Sequence, residues 1–152
     1  MVCEMARLTI EVMPVKGIYL LLVDGFADWE PAHAVAELRR TGQYRVEAVG
    51  LTGDPVVSMG GIRVLPTMAI TDVNPDDVAA LIIPGGDRWE TSAVEPEIIN
   101  LLNHLDTQGV PIAAICGATI AIARTGILRG RRHTSNGLDY LRAQVRSVWP
   151  IT

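Results

Sequence analysis

Cys116 carries the most chemical potential in this sequence. It stands between Ala113-Ala114-Ile115, which reads as the end of a strand, and Gly117-Ala118-Thr119-Ile120-Ala121, which reads as the start of a helix. A strand that turns directly into a helix through small residues makes a nucleophile elbow. A thiol at a helix N-terminus feels the positive end of the dipole and unpaired amides, and both favour the nucleophilic thiolate. The amide of Gly117 is a candidate to hold a developing oxyanion. The run Pro84-Gly85-Gly86-Asp87 offers a second amide with no side chain in the way. Each feature alone also has a plain structural reading, Cys116 as a small buried hydrophobe and Gly85-Gly86 as a turn.

These groups have to be positioned by regular elements. Gly17 to Val23 is a continuous apolar run ended by Asp24-Gly25, which suits a strand buried on both faces. A helix is expected from Glu30-Pro31, with Ala34, Val35 and Leu38 as its apolar stripe and Gly42 as its stop. Arg45 to Leu51 reads as a second strand, and Val56 to Val64 as a small hairpin turning at Gly60-Gly61. Val78 to Ile83 is a core strand broken by Pro84-Gly85-Gly86. Pro96 to Asp106 shows helical spacing of Ile98, Ile99, Leu101, Leu102 and Leu105, ended by Gly109. Val110 to Ile115 reads as another buried strand and Gly117 to Arg124 as a helix. Alternation of this kind implies a doubly wound α/β sandwich with helices on both faces of a parallel sheet. In such sheets chemistry collects at the carboxyl ends of the strands. Three loops qualify, Asp24 to Glu30, Pro84 to Asp87 and Cys116 to Ala118.

The segments Val23-Asp24-Gly25-Phe26-Ala27-Asp28-Trp29-Glu30, Leu81-Ile82-Ile83-Pro84-Gly85-Gly86-Asp87 and Ala113-Ala114-Ile115-Cys116-Gly117-Ala118-Thr119, in that order, resemble the DJ-1/PfpI family within the class I glutamine amidotransferase-like superfamily. The resemblance spans roughly Val15 to Ala143. It implies a flavodoxin-like sandwich, usually dimeric, with the elbow cysteine at Cys116 and an acidic partner at Glu30. A carboxyl beside a thiolate either keeps its proton and donates a hydrogen bond, or repels the sulfur when ionised. If protonated it can also serve as a general acid or base. The plainer role for Glu30 is to favour a helix dipole. Many relatives place a histidine after the elbow helix, where this chain reads Gly130-Arg131-Arg132-His133-Thr134-Ser135-Asn136. Asn136 falls on the histidine position. His133 lies three residues earlier and, in an extended segment, would point to the opposite face. This form resembles a bacterial subgroup labelled amidotransferase-like or intracellular protease. Relatives also continue past Tyr140-Leu141-Arg142 with further strands and a C-terminal helix, so a sandwich short of those elements, with an uncovered apolar face, is expected.

Composition limits the alternatives. With 152 residues, 49% of them hydrophobic, the chain supports one core, assigned here to residues 15–152 after an N-terminal extension of residues 1–14. A formal charge of -4 argues against nucleic acid as a partner, and Arg129, Arg131 and Arg132 read as a solvated loop. Cys3 and Cys116 suit neither a disulfide framework nor a metal site, which points to a reducing, cytoplasmic setting. Neither a membrane-spanning run nor a signal-peptide core is present, and no metal cluster, P-loop or dinucleotide fingerprint calls for a cofactor. His33 and His104 read as helix-surface residues, and Trp29 as a crevice cap or an interface residue. The expected function is a cysteine-dependent hydrolase or a glyoxalase/deglycase-type enzyme acting on a small carbonyl or amide substrate, working as a homodimer. The alternative is a redox sensor or stress-response, chaperone-like protein that uses the same cysteine.

Overall fold

A computed structural model describes residues 16–145. The expected extension, Cys3 and residues 146–152 lie outside the described residues. Five strands form the central sheet: β1 (Gly17–Leu21), β2 (Arg45–Gly50), β5 (Met68–Ala69), β6 (Val78–Ile83) and β7 (Ile112–Ala114). Their order is β5-β2-β1-β6-β7, and every pairing in it is parallel. The remaining strands, β3 (Val56–Val57) and β4 (Arg63–Val64), make a separate antiparallel hairpin. The helices are α1 (Trp29–Arg40), α2 (Arg88–Thr91), α3 (Pro96–Thr107), α4 (Ala118–Thr125) and α5 (Leu138–Val145).

Parallel strands need crossovers, and the apolar patterning decides where these pack. Along β1 and its extension, Tyr19, Leu21 and Val23 face one side, where they join Ile98, Leu101, Leu102 and Leu105 of α3 and Ala118, Ala121 and Ile122 of α4 in the main core. The alternate residue Leu22 faces the other side and packs with Phe26 of the following loop and Val56 of the hairpin. The four buried apolar residues of α3 are each worth roughly 1.5–3 kcal/mol against exposure. That burial is why α3 forms where the helical spacing predicts it.

Three expectations are corrected. The stretch Val110 to Ile115, read as a buried strand, contributes only the three residues of β7. Among the described residues β7 is an edge of the sheet with Ala113 exposed. Its small alanines leave little apolar surface to bury. The apolar stripe assigned to α1 is not buried: Ala34 is exposed, Val35 and Leu38 are partly so, and only Pro31 is enclosed. Three of its apolar residues, Ala32, Ala34 and Ala36, are alanines that offer little surface to bury, and Trp29 is exposed. Finally, α2, α5 and β5 were not anticipated. Two of these are four residues or fewer, and α5 is held by Leu141 and Val145 in a small cluster with Ile120 and Ala123 of α4.

Candidate active site

The carboxyl ends of β1, β6 and β7 bring the three expected loops together. The Ala27 amide donates to the Gly85 carbonyl at 2.9 Å, tying the first loop to the second. The Ile115 amide donates to Ile83 O at 3.0 Å, tying the third to β6. The buried Trp89 indole donates to the Pro84 carbonyl at 2.9 Å and fixes the middle loop from beneath. The hairpin closes over the first loop. Asp24 Oδ1 accepts from the Val57 amide, and the Asp28 carboxylate accepts from the Ser58 hydroxyl and the Gly60 amide.

Cys116 occupies the bend between β7 and α4 with φ at 51°, a left-handed conformation that is uncommon outside glycine. The residue is exposed, so the reading of Cys116 as a buried hydrophobe does not apply. After the bend, the Ala118 and Thr119 amides are taken by the Ile115 and Cys116 carbonyls. Among the described residues neither the Gly117 nor the Gly86 amide donates to a protein group; Gly117 is buried and Gly86 half-buried. Gly85 differs. Its amide donates to Glu30 Oε2 at 2.6 Å and is spent on holding that carboxylate.

Gly85 also explains how Glu30 meets Cys116. A Cβ built on Gly85 would stand 2.9 Å from Cys116 Cβ, 2.9 Å from Glu30 Oε2 and 3.0 Å from Glu30 Oε1. The carboxylate and the thiol-bearing carbon thus converge on a space that only a glycine leaves open. Oε1 makes no hydrogen bond among the described residues and faces that space. Glu30 thus faces the thiol-bearing carbon from the first turn of α1.

The fourth member is Asn136. Its Nδ2 donates to Cys116 Sγ at 3.2 Å. The turn that presents it is held by Ser135, at φ 59°, whose hydroxyl lies 2.6 Å from Thr119 Oγ1, which in turn donates to the Cys116 carbonyl at 2.7 Å. His133 is placed elsewhere. It is half-buried and lines a cleft of about 540 Å³ with Leu128, Arg131, Arg132, Leu138 and Leu141, a cleft that Cys116 does not line. Asp87 opens α2 with an exposed side chain that makes no cap. His33 and His104 are exposed, as is the arginine loop, in which Arg131 pairs with Asp106.

Sequence reasoning passed over Tyr140 and Glu90. The Tyr140 hydroxyl donates to Glu90 Oε1 at 2.7 Å and lies 3.6 Å from where a Cβ on Gly117 would stand. Burial, and then the Glu90 carboxylate, hold its phenol well above the ordinary value, while a hydrogen bond from Asn136 acts in the opposite sense. No motif marks a tyrosine 24 positions after the elbow; only the packing of α5 against α4 brings it back.

Residues 16–147 match the DJ-1/PfpI family. The chain belongs to that family. It is 32% identical over 137 residues to an uncharacterized protease of Bacillus subtilis, YoaZ, covering 85% of this chain and 64% of that protein. It is 28% identical to a deglycase of Pyrococcus abyssi, covering 84% of this chain and 82% of that one. The crystal structure of a DJ-1 superfamily protein from Agrobacterium tumefaciens superposes with a TM-score of 0.78 at 34% identity, over 86% of this chain and 69% of that structure. The parallel α/β sheet is that of a flavodoxin-like DJ-1/PfpI domain. The chain spans about two thirds of the length of the two Bacillus subtilis proteases it resembles, YoaZ and YdeA. Among the described residues no helix is long and apolar enough to cross a membrane, and no cluster of three or more metal-ligating side chains occurs.

Proposed function

We propose that this DJ-1/PfpI protein is a cysteine-dependent enzyme of glyoxalase or deglycase type acting on small carbonyl compounds. The single observation that carries this reading is the convergence of the exposed Cys116 and the Glu30 carboxylate on the space beside Gly85, next to two unclaimed amides. In this mechanism the Cys116 thiolate adds to an aldehyde carbon, forming the C–S bond as the carbonyl π pair moves to oxygen. The Gly86 and Gly117 amides steady that oxyanion. Glu30 takes the proton that the Cys116 thiol gives up and passes it to the oxyanion, which completes a hemithioacetal; the carboxylate so restored can take a proton from the adjacent carbon.

Amide hydrolysis is less well supported. Expelling an amine requires a group that shuttles a proton between nucleophile and leaving group. The side chain that meets Cys116 Sγ is the amide of Asn136, which does not titrate. The deglycase relative favours carbonyl chemistry, and the protease relative carries the competing reading to the same assay. Methylglyoxal consumption and peptide hydrolysis, measured side by side on wild type, Cys116→Ser and Glu30→Gln, decide between them. Loss of methylglyoxal turnover in both variants is expected. Rapid peroxide oxidation of Cys116 with no turnover of either substrate would instead favour the redox sensor.

We further propose that the domain is a homodimer in a reducing cytoplasm. Trp29, Met59 and Ile62 are 63%, 44% and 56% exposed. Trp29 follows Asp28, and Met59 lies between the two residues that Asp28 bonds, so exposed apolar groups gather where α1 meets the hairpin, a surface of the kind that pairs with a second copy. Sizing by light scattering is expected to give twice the chain mass for wild type and the monomer for Trp29→Glu; a monomeric wild type overturns this.

A further inference from the structure

We propose that Thr119 is a positioning residue whose hydroxyl clamps the elbow at Cys116 to the turn at Ser135 and thereby holds the Asn136 amide on the Cys116 sulfur. The inference rests on the reading of Cys116 as a nucleophilic thiolate.

Among the described residues, Cys116 and Ser135 are the two non-glycine residues with positive φ, at 51° and 59°. That conformation is costly for a residue with a Cβ and persists only where its surroundings impose it. One hydroxyl touches both residues. Thr119 Oγ1 donates its single hydrogen to the Cys116 carbonyl at 2.7 Å. Its remaining capacity is to accept, so the Ser135 hydroxyl, 2.6 Å away, donates to it. Asn136 follows Ser135 directly, and its Nδ2 donates to Cys116 Sγ at 3.2 Å. The circuit from sulfur to amide, turn, threonine hydroxyl and back to the cysteine backbone is closed at every step by a hydrogen bond or a covalent bond.

What else holds the turn decides how much the clamp matters. The turn does not close on the sheet edge. A cleft of about 250 Å³ is lined by Thr119 and Ser135 together with Ile112 and Ala114 of β7, Ile122 of α4 and Leu128. Packing therefore leaves the turn room to shift, and the Ser135–Thr119 bond draws it against the elbow. The ionisable groups around the site are Glu30 of α1, bonded to the Gly85 amide, Tyr140 of α5, bonded to Glu90 of α2, and His133, which lines the same cleft. Neither of those bonds uses the Thr119 or Ser135 hydroxyl.

The test uses iodoacetamide alkylation of Cys116 in a Cys3→Ser background, at pH 7 and again at a pH high enough to ionise any thiol. Thr119→Val keeps the branched shape and removes the hydroxyl. It is expected to lower the pH 7 rate by about threefold to tenfold, the effect of one hydrogen bond, and to leave the high-pH rate unchanged. Thr119→Ser keeps the hydroxyl and is expected to keep the wild-type rate. Ser135→Gly accepts the left-handed turn without strain but lacks the donor. It reads the clamp even if Thr119→Val fails to fold, and the same fall at pH 7 is expected. Adding Ser135→Gly to Asn136→Ala is expected to do nothing beyond Asn136→Ala alone, because the clamp acts through the amide. A pH 7 rate near wild type in folded Thr119→Val or Ser135→Gly, a slow Thr119→Ser, equal losses at both pH values, or additive losses in the double variant overturn the proposal. A wild-type Cys116 no faster than the same cysteine in the unfolded chain overturns the nucleophile reading itself, a distinguishable failure.

Discussion

A methyl group at position 85 tests the site at its narrowest point. In Gly85→Ala the new carbon would press on Cys116 Cβ and both Glu30 oxygens at 2.9–3.0 Å. The carboxylate must move or the loop must shift. Displacement by about an ångström costs roughly a hundredfold in rate for a positioned catalytic group. A comparable loss of methylglyoxal turnover is expected, with thermal stability lowered by about 1–3 kcal/mol from overpacking; turnover near wild type would show that Glu30 and Cys116 do not need this approach. At this scale the sequence is informative about Cys116, Gly86 and Gly117, because a strand-to-helix junction dictates where an elbow residue and its neighbouring amides point. It does not reveal that Gly85 spends its amide on Glu30, since either glycine of a Gly-Gly pair suits an oxyanion. Nor does it reveal Tyr140, which reaches the site only after α5 has packed against α4.

The loop after β6 owes its shape to an element that sequence patterning misses. The four-residue helix α2 buries Trp89, whose indole N–H is the partner of the Pro84 carbonyl. Trp89→Phe keeps an aromatic ring but leaves that buried carbonyl without its donor, a cost of about 1–3 kcal/mol. A melting temperature lower by roughly 2–4 °C for each kcal/mol is expected by calorimetry; an unchanged melting point would mean that Pro84 finds another donor. The strands β1 and β6 were legible because both faces are covered, so their apolar runs are continuous. In α3 one face alone is covered, and the period of its leucines and isoleucines shows it. By contrast, α1 and β7 are half-exposed and alanine-rich, and alanine carries too little apolar surface to mark a buried face. One turn of helix offers no period at all, which is why α2 went unseen.

At the scale of the whole molecule, two phenols make the fold sensitive to alkali. Burial raises the Tyr19 hydroxyl above its ordinary value of 10.0, and burial with the Glu90 carboxylate raises Tyr140 likewise. The folded state therefore holds these protons more tightly than the unfolded chain. Stability is full below about pH 10 and falls as pH rises past that value, where the unfolded chain ionises first. Urea unfolding followed across that range is expected to show a shallower decline in Tyr19→Phe than in wild type; equal slopes would show that Tyr19 plays no part. The fold is expected to turn an ordinary thiol into a nucleophile, which is tested by comparing Cys116 in the folded protein with itself in urea. With Cys3→Ser to leave one thiol, iodoacetamide is expected to alkylate Cys116 at pH 7 at least about tenfold faster in the folded state, because the sulfur stands exposed at the start of α4 and accepts a hydrogen bond from Asn136. Equal or slower alkylation in the folded protein would contradict it.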